Sequence, residues 1–327
     1  MLETFDKVDT AIDANADIAD EIVSAAVGSF VQAFDVSDAD GKAKSNDLDK
    51  ARSTIRQFYR DWSLEGHGER QASYGPVMQF LQTRFSDQAD RSLVNVLVPG
   101  AGLGRLVYDI WKAGFTVQGN EISYHMLLAS NWVLNHIALP RRLKLYPFAF
   151  DFSNVLERSH QLQSVMIPDA HALSGSGGDA NQDRMSVTAS DFITLYSQKE
   201  QRDTFDVVAT VFFVDTAPNL IKYIEAVRNC LRPGGCWVNN GPLLWHFADR
   251  APPQPDELVN PTHLPDITGI EAPGSFELTN EEVLQLLERH GFHVKQREIR
   301  KDGEGYIQNP QSMLQNQYTC SFWVAEK

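Results

Sequence analysis

The stretch Val94-Asn-Val-Leu-Val-Pro-Gly-Ala-Gly-Leu-Gly-Arg105 constrains the fold more than any other part of the chain. Its first half is a short apolar run, the pattern of a buried strand. Its second half places glycine at 100, 102 and 104, where a backbone can bend tightly and approach a ligand with no Cβ in the way. Leu103–Ala113 then reads as a helix, and Thr116–Glu121 as a second strand ending on a carboxylate. Strand, glycine turn, helix, strand and acid is how a doubly wound α/β domain holds a nucleoside. Glu121 is placed to accept hydrogen bonds from ribose hydroxyls.

The rest of the chain falls around this stretch. Residues 1–90 carry helical patterning and no strand signals, and are expected to form an N-terminal helical lobe. Within them, Ile18 to Val31 has helical spacing, Ser37 to Ser45 reads as a solvated loop, and Leu48 to Phe85 is a second helical region. The segment Trp62–Arg70 is expected to interrupt that region, with a helix resuming near Gly75-Pro76. Residues 91–327 read as the Rossmann-like domain. Its strands are expected at Val94–Val98, Thr116–Glu121, Ser186–Ala189, Phe205–Phe213, Gly235–Asn239, Phe292–Ile299 and Tyr318–Ala325. Helices are expected at Ser123–Leu139, with Ser123 as N-cap and Pro140 as terminator, at Leu220–Cys230, and at Thr279–His290 behind a capping box. Leu145–Phe150 reads as a strand or a turn, Asn154–Arg184 as a loop or insertion, and Pro252–Pro273 as a long loop or lid.

Charge narrows the partners. The 327 residues carry a net charge of -14. Phosphate binding needs clustered Lys and Arg, so nucleic acid is not an expected partner. A cationic or zwitterionic small substrate suits this charge better. Of three cysteines, Cys230 and Cys236 lack CxxC spacing and no His cluster completes a zinc set, so no metal is expected. A sparse, odd cysteine count suits a reducing compartment. The N-terminus lacks the basic and apolar regions of a signal peptide, and no run is long enough to span a membrane. A cytoplasmic setting is expected, with the nucleus also open. A homodimer is compatible with the sequence.

The glycine spacing separates nucleoside classes. A dinucleotide site needs Gly-x-Gly-x-x-Gly, and here the third glycine comes one place early, with Arg105 following. Gly-x-Gly-x-Gly instead resembles the first motif of methyltransferases that use S-adenosyl-L-methionine, a ligand with no pyrophosphate. Phe205-Asp206-Val-Val-Ala and Leu231-Arg-Pro-Gly-Gly235 resemble the fourth strand and the approach to the fifth strand in that fold. The acid often found two places before the first glycine is Val98 here. Longer motifs sharpen the likeness: Val98-Pro-Gly-Ala-Gly-Leu-Gly-Arg-Leu106, Gln118-Gly-Asn-Glu121, Ser130-Asn-Trp-Val-Leu-Asn135, Phe212-Phe-Val-Asp-Thr-Ala217, Asn240-Gly-Pro-Leu-Leu-Trp-His-Phe247 and Gln57-Phe-Tyr-Arg-Asp-Trp-Ser63. In order, from about Leu48 to the C-terminus, they resemble the carnosine N-methyltransferase family, whose members methylate the imidazole of β-alanyl-histidine to give anserine.

The resemblance implies a class I methyltransferase fold, S-adenosyl-L-methionine as methyl donor and a histidine dipeptide as small-molecule acceptor. It implies roles by position. Gln57 and Arg60 in the helical lobe match cofactor positions. An Arg one helical turn from a Gln suits a methionine carboxylate, and the Gln carbonyl suits the amino group that Val98 leaves without an acid. Gly100, Gly102 and Glu121 match the cofactor turn. Asp191 and Phe192 match an adenine site, and a contact near Val211 is limited to backbone or apolar surface. Asp215, just past the fourth strand, is the catalytic candidate and a substrate contact. A carboxylate that accepts from one ring N–H fixes the tautomer and favours the charge developing on the ring. His246 and Tyr318 match substrate-binding positions, with Tyr318 flanked by the non-aromatic Asn316 and Gln317.

Each residue also has a plain structural reading. Gln57 and Arg60 would lie on a solvated helix face, Asp215 would cap the following helix, and Phe192, Trp132, Trp245 and Phe212 would be core. Phe212 and Phe213 are also candidates to wall the pocket. The functional alternatives are a histidine methyltransferase acting on another peptide or protein, a catalytically silent binding protein on the same fold, and a nucleotide-dependent oxidoreductase, which the glycine spacing disfavours.

Overall fold

The structure is a computed structural model that describes residues 2–30, 43–137, 139–170, 182–248 and 277–327. The Pro252–Pro273 stretch and most of the Ser37–Ser45 loop lie outside the described residues.

Seven strands form one sheet. They are β1 (Asn95–Pro99), β2 (Thr116–Glu121), β5 (Met185–Ala189), β6 (Phe205–Val211), β7 (Leu231–Gly241), β8 (His293–Glu304) and β9 (Tyr318–Glu326). Their spatial order is β5-β2-β1-β6-β7-β9-β8. Neighbours pair in parallel up to β7, and β9 runs antiparallel to both β7 and β8. This is the expected Rossmann-like α/β sheet. β1 lies between β2 and β6, which the chain reaches by crossing over in opposite directions. A crevice therefore opens beyond the carboxyl ends of β1 and β6, where such sheets bind ligands.

Side-chain alternation explains why the strands read as near-continuous apolar runs. Val96, Val98, Val207, Ala209, Cys236, Val238, Phe322 and Val324 enter the core on one face. Leu97, Val208, Trp237, Trp323 and Ala325 enter the core on the other. Both faces are covered, so alternate positions are apolar on each. The second face is covered by α7 (Phe192–Tyr196), α8 (Leu220–Cys230) and α9 (Asn280–Arg289). The first is covered by α1 (Leu2–Phe30), α2 (Ser45–Trp62), α3 (His67–Arg84), α4 (Arg105–Lys112) and α5 (Tyr124–Asn135). Ile18, Phe58, Trp62, Val77 and Leu81 of the first three helices belong to the same buried cluster as Val96 and Val117.

Local signals set most boundaries. Thr279 accepts from the Glu282 amide while Glu282 reaches back to the Thr279 amide, the expected capping box. Three expectations are corrected. First, α3 begins at His67, so the break after Trp62 is short and Pro76 sits inside the helix. Proline removes one helical hydrogen bond. Burial of Tyr74, Pro76, Val77 and Leu81 offsets that loss, and Asn240 Nδ2 of β7 donates to the Ser73 carbonyl at 3.0 Å. Second, α5 ends at Asn135, before Pro140. Ser123 stands at the N-cap as expected, but its hydroxyl makes no capping bond; its amide donates to Glu121. Leu145–Phe150 takes the turn of its two readings, directly after a strand, β3 (Leu143–Leu145). Third, the Asn154–Arg184 segment is not loop throughout. It holds β4 (Val165–Ile167), which pairs antiparallel with β3, and a short helix, α6 (Arg158–Gln161).

Candidate functional site

The glycine turn is built as the sequence requires. Gly100 and Gly102 have φ of +66° and +54°, the left-handed region that costs a side chain energy. Space is short as well. A Cβ on Gly100 would stand 2.8 Å from the Phe213 ring, and one on Gly102 would stand 2.8 Å from Gln57 Nε2. Glu121, at the end of β2, ties the turn down: its Oε2 accepts from the Gly102 amide at 2.8 Å. Its Oε1 accepts from the amides of Ile122 and Ser123, each at 2.8 Å.

The last turn of α2 faces this loop. Gln57 and Arg60 are buried there, so the solvated-face reading fails for both. Their partner is Asp61, which is 1% exposed. Its carboxylate accepts from Gln57 Nε2 at 3.1 Å, from Arg60 Nε at 2.7 Å and Nη2 at 3.3 Å, and from the Tyr74 hydroxyl at 2.9 Å. Burial alone would push the Asp61 carboxyl up; the Arg60 guanidinium and the three kinds of donor overcome that and hold it below the usual carboxylate range. Burial likewise opposes the charge on Arg60, and Asp61 outweighs it. The Arg60 guanidinium lies 5.0 Å from the centre of the Tyr306 ring and 5.5 Å from that of Tyr74, close enough for cation–π attraction.

Helix, turn and strand ends enclose a cavity of about 230 Å³. Six of the expected cofactor residues line it together: Gln57, Arg60, Gly100, Gly102, Glu121 and Val211. Tyr74, Met126, Phe212 and Tyr306 form its apolar and aromatic walls. Phe212 holds a left-handed backbone, φ +52°, and packs its ring 5.0 Å from Tyr306 and 5.8 Å from Tyr318. Gly241 comes so close to the Phe212 backbone that a Cβ there would stand 3.1 Å from its nitrogen.

Asp191 and Phe192 do not line the cavity. Asp191 caps α7, its Oδ1 accepting from the amide and hydroxyl of Thr194, both at 2.8 Å. Phe192 is core, packed against Tyr196, Phe213 and Tyr223. Trp132 is also core. Phe213 belongs to the core behind Gly100, while Phe212 does wall the cavity.

Asp215 sits in a single 3-10 turn, Val214–Thr216, after β6, and is 3% exposed. It does not cap α8; Asn219 does, through its Oδ1 and the Lys222 amide at 3.3 Å. Asp215 Oδ2 instead accepts from the Leu244 amide at 2.8 Å, and its carbonyl accepts from the His246 amide at 3.1 Å. Burial pushes its carboxyl up, partly offset by the Leu244 amide and by nearby His246. Asp215 and the exposed His246 are thus brought together; neither they nor Tyr318 line the cavity, although the Tyr318 ring packs on Phe212, which does.

Sequence reasoning missed four contributors. Asp61 carried a signal, since it stands four places from Gln57 on the same helix. Tyr74 read as core. Tyr306 and Asp169 carried none. Asp169, from the segment taken as an insertion, accepts from Arg70 Nη2 at 2.6 Å and Arg105 Nη1 at 2.5 Å, and donates its amide to the Trp62 carbonyl at 2.8 Å. Arg70 in turn donates to the carbonyls of Arg60 and Ser63. Among the described residues no cluster of three or more His, Cys, Asp or Glu is arranged to hold a metal ion, and no helix is long and apolar enough to cross a membrane.

Comparison with known proteins gives a consistent result. A family profile described as "Carnosine N-methyltransferase" matches residues 37–327. The chain is 37% identical to "Carnosine N-methyltransferase" of Schizosaccharomyces pombe over 325 residues, covering 99% of this chain and 83% of that protein. It is 38% identical to the protein of the same name from Rattus norvegicus over 328 residues, covering 98% of this chain and 74% of that one. Among solved structures it is similar to an S-adenosylmethionine-dependent methyltransferase from Mesorhizobium loti, with a TM-score of 0.42 and 14% identity over 77% of this chain and 98% of that one.

Proposed function

The chain belongs to the carnosine N-methyltransferase family, and on that premise we propose that it transfers a methyl group from S-adenosyl-L-methionine to the imidazole of carnosine, giving anserine, or of a related histidine dipeptide. The observation that carries the reading is the cavity itself. At the crevice between β1 and β6 it joins bare glycine backbone, an acid at the end of the next strand and a buried Gln–Arg pair.

The residues suit that donor. Glu121 keeps acceptor capacity for ribose hydroxyls beyond its three backbone amides. Arg60 Nη1, which Asp61 does not engage, suits a carboxylate, and Gln57 keeps its carbonyl for an amino group, the role Val98 cannot fill. Gly100, Gly102 and Val211 offer backbone and apolar surface. Asp191, whose Oδ2 is outside its cap, is the proposed adenine contact, reached from outside the cavity, while Phe192 beside it backs that position from the core. Bound there, S-adenosyl-L-methionine supplies an electrophilic methyl on a sulfonium; the protein positions and desolvates the reactants.

On the acceptor side, the attacking ring nitrogen must be neutral. Asp215 accepts a hydrogen bond from the other ring N–H, orients the ring and favours the positive charge that develops on it. His246 and Tyr318 bind the rest of the dipeptide. In this reading the helical lobe, 1–90, supplies half of the donor site to the domain of 91–327. The net charge of -14 weighs against nucleic acid as a partner, and a homodimer in the cytoplasm or nucleus is compatible with it.

The test is mass spectrometry of carnosine incubated with the protein and S-adenosyl-L-methionine. A single methyl gained on the histidine ring is the expected result. Methylation of histidine peptides or proteins with carnosine untouched would replace the acceptor. Failure to bind S-adenosyl-L-methionine in calorimetry would overturn the reading.

A further inference from the structure

Tyr306 reaches the cavity on the segment that follows β8, and the feature that holds this segment lies outside the cavity. Ile307, the next residue, has φ of +53°, a conformation that branched side chains rarely adopt. Such a bend persists where the surroundings impose it. Here the imposing group is Glu69, in the first turn of α3. Its Oε1 accepts from the Ile307 amide at 2.5 Å, and the Gln308 amide also points to this carboxylate. Glu69 does not line the cavity, and none of the roles derived above uses it. Its own helix is fixed independently, because the adjacent Arg70 is pinned to Asp169 and to the carbonyls of Arg60 and Ser63. The clamp therefore connects a rigid helix to an irregular segment 238 residues away in the chain.

We propose that Glu69 is a positioning residue: its carboxylate holds the Ile307 bend and so fixes the Tyr306 ring between Arg60 and Phe212 as one wall of the cavity. It acts through the reach of its hydrogen bond, not through its charge. Two variants separate these. Glu69→Gln keeps the reach and removes the charge; Glu69→Asp keeps the charge and withdraws it by one methylene.

The first measurement is amide hydrogen exchange of the 305–309 segment in the free protein, which does not depend on what the enzyme methylates. Exchange should quicken about tenfold or more in Glu69→Asp and stay within about threefold of the parent in Glu69→Gln, with β1 and β6 unchanged in both. The reverse order, or no change in Glu69→Asp, overturns the clamp. So does uniform quickening across the sheet in Glu69→Asp, which would mark a general stabilising role. The second measurement, which rests on the proposed function, is a double-mutant cycle on kcat/KM for carnosine methylation. If Glu69 acts through Tyr306, adding Glu69→Asp to Tyr306→Ala should cost less than about twofold more, whereas losses that multiply overturn the link to Tyr306. If the parent protein does not methylate carnosine, it is the functional reading that fails, and the exchange measurement still decides the clamp.

Discussion

A methyl group on Gly102 would stand 2.8 Å from Nε2 of Gln57, so the glycine turn and the side chain of Gln57 on α2 are closely fitted to each other. The Gly102 amide is also held by Glu121 at 2.8 Å. Gly102→Ala therefore meets two costs. The left-handed backbone at φ +54° costs an alanine about 1–2 kcal/mol, and Gln57 must move off its bond to Asp61. The expected outcome is a folded protein whose affinity for S-adenosyl-L-methionine is about tenfold or more weaker, the equivalent of about 1.4 kcal/mol. Calorimetry with the donor, alongside circular dichroism, checks it.

Asp61 neutralises Arg60 with both side chains almost wholly buried. Removing one partner of a buried pair leaves the other uncompensated and costs about 3–5 kcal/mol. Asp61→Asn should lower stability on that scale in urea unfolding. The pH dependence has a definite sign. The Asp61 carboxyl titrates below its unfolded value, so its contribution is complete above the ordinary carboxylate range and is lost as pH falls through the depressed value. The parent and Asp61→Asn should converge in stability at the acid end. A constant gap across that range would contradict the pairing.

Asp215 has the opposite sign. Burial raises its carboxyl above the unfolded value, so the folded state holds the proton longer. Stability from this group is greatest below the ordinary carboxylate range, falls as pH rises towards the raised value and is level beyond it. Asp215→Asn lacks this loss, so its stability should gain on the parent across that window. It should bind donor normally and lose about 100-fold or more in turnover if the carboxylate orients the imidazole. Normal turnover in Asp215→Asn would remove Asp215 from the reaction.

Asn219 is the control for that experiment. It caps α8 four places after Asp215, through a bond of 3.3 Å to the Lys222 amide. Asn219→Ala should cost about 1 kcal/mol in stability, the usual loss for a cap, with kcat unchanged. A large fall in kcat would mean that the Asp215 turn depends on the cap beside it, and steady-state kinetics at a temperature well below unfolding would show it.

What the sequence conveys is what is local. The sheet was legible because strands buried on both faces leave unbroken apolar runs. α8 matches its expected range, Leu220–Cys230, since a helix period and an Arg-Pro-Gly-Gly stop bracket it. The half of the site built on one strand–turn–strand unit, Gly100 to Glu121, was readable for the same reason. Gln57 and Arg60 were found by resemblance alone; their helical spacing was equally that of a solvated face. Pro76 misled because its helix-breaking tendency is local while the packing that outweighs it comes from β7. Tyr306 could not be found, because the Glu69–Ile307 bond that places it leaves no periodicity in either segment. Asp191 is instructive in another way: an acid after a strand suits an adenine site and a helix cap alike, and the structure shows the cap.

Asp169 has a consequence for anyone recombining this chain with its relatives. The boundary at residue 90 looks like a natural crossover point, with helices before it and the sheet after. A chimaera joined there takes Arg70 from one parent and Asp169 and Arg105 from the other, and so asks two lineages to agree on a buried charge cluster. Grafts that carry residues 139–170 along with the helices still leave Arg105 behind on the glycine turn. The exchangeable block is therefore discontinuous, and a shuffled library divided at residue 90 would yield folded members mainly where both parents share all three residues.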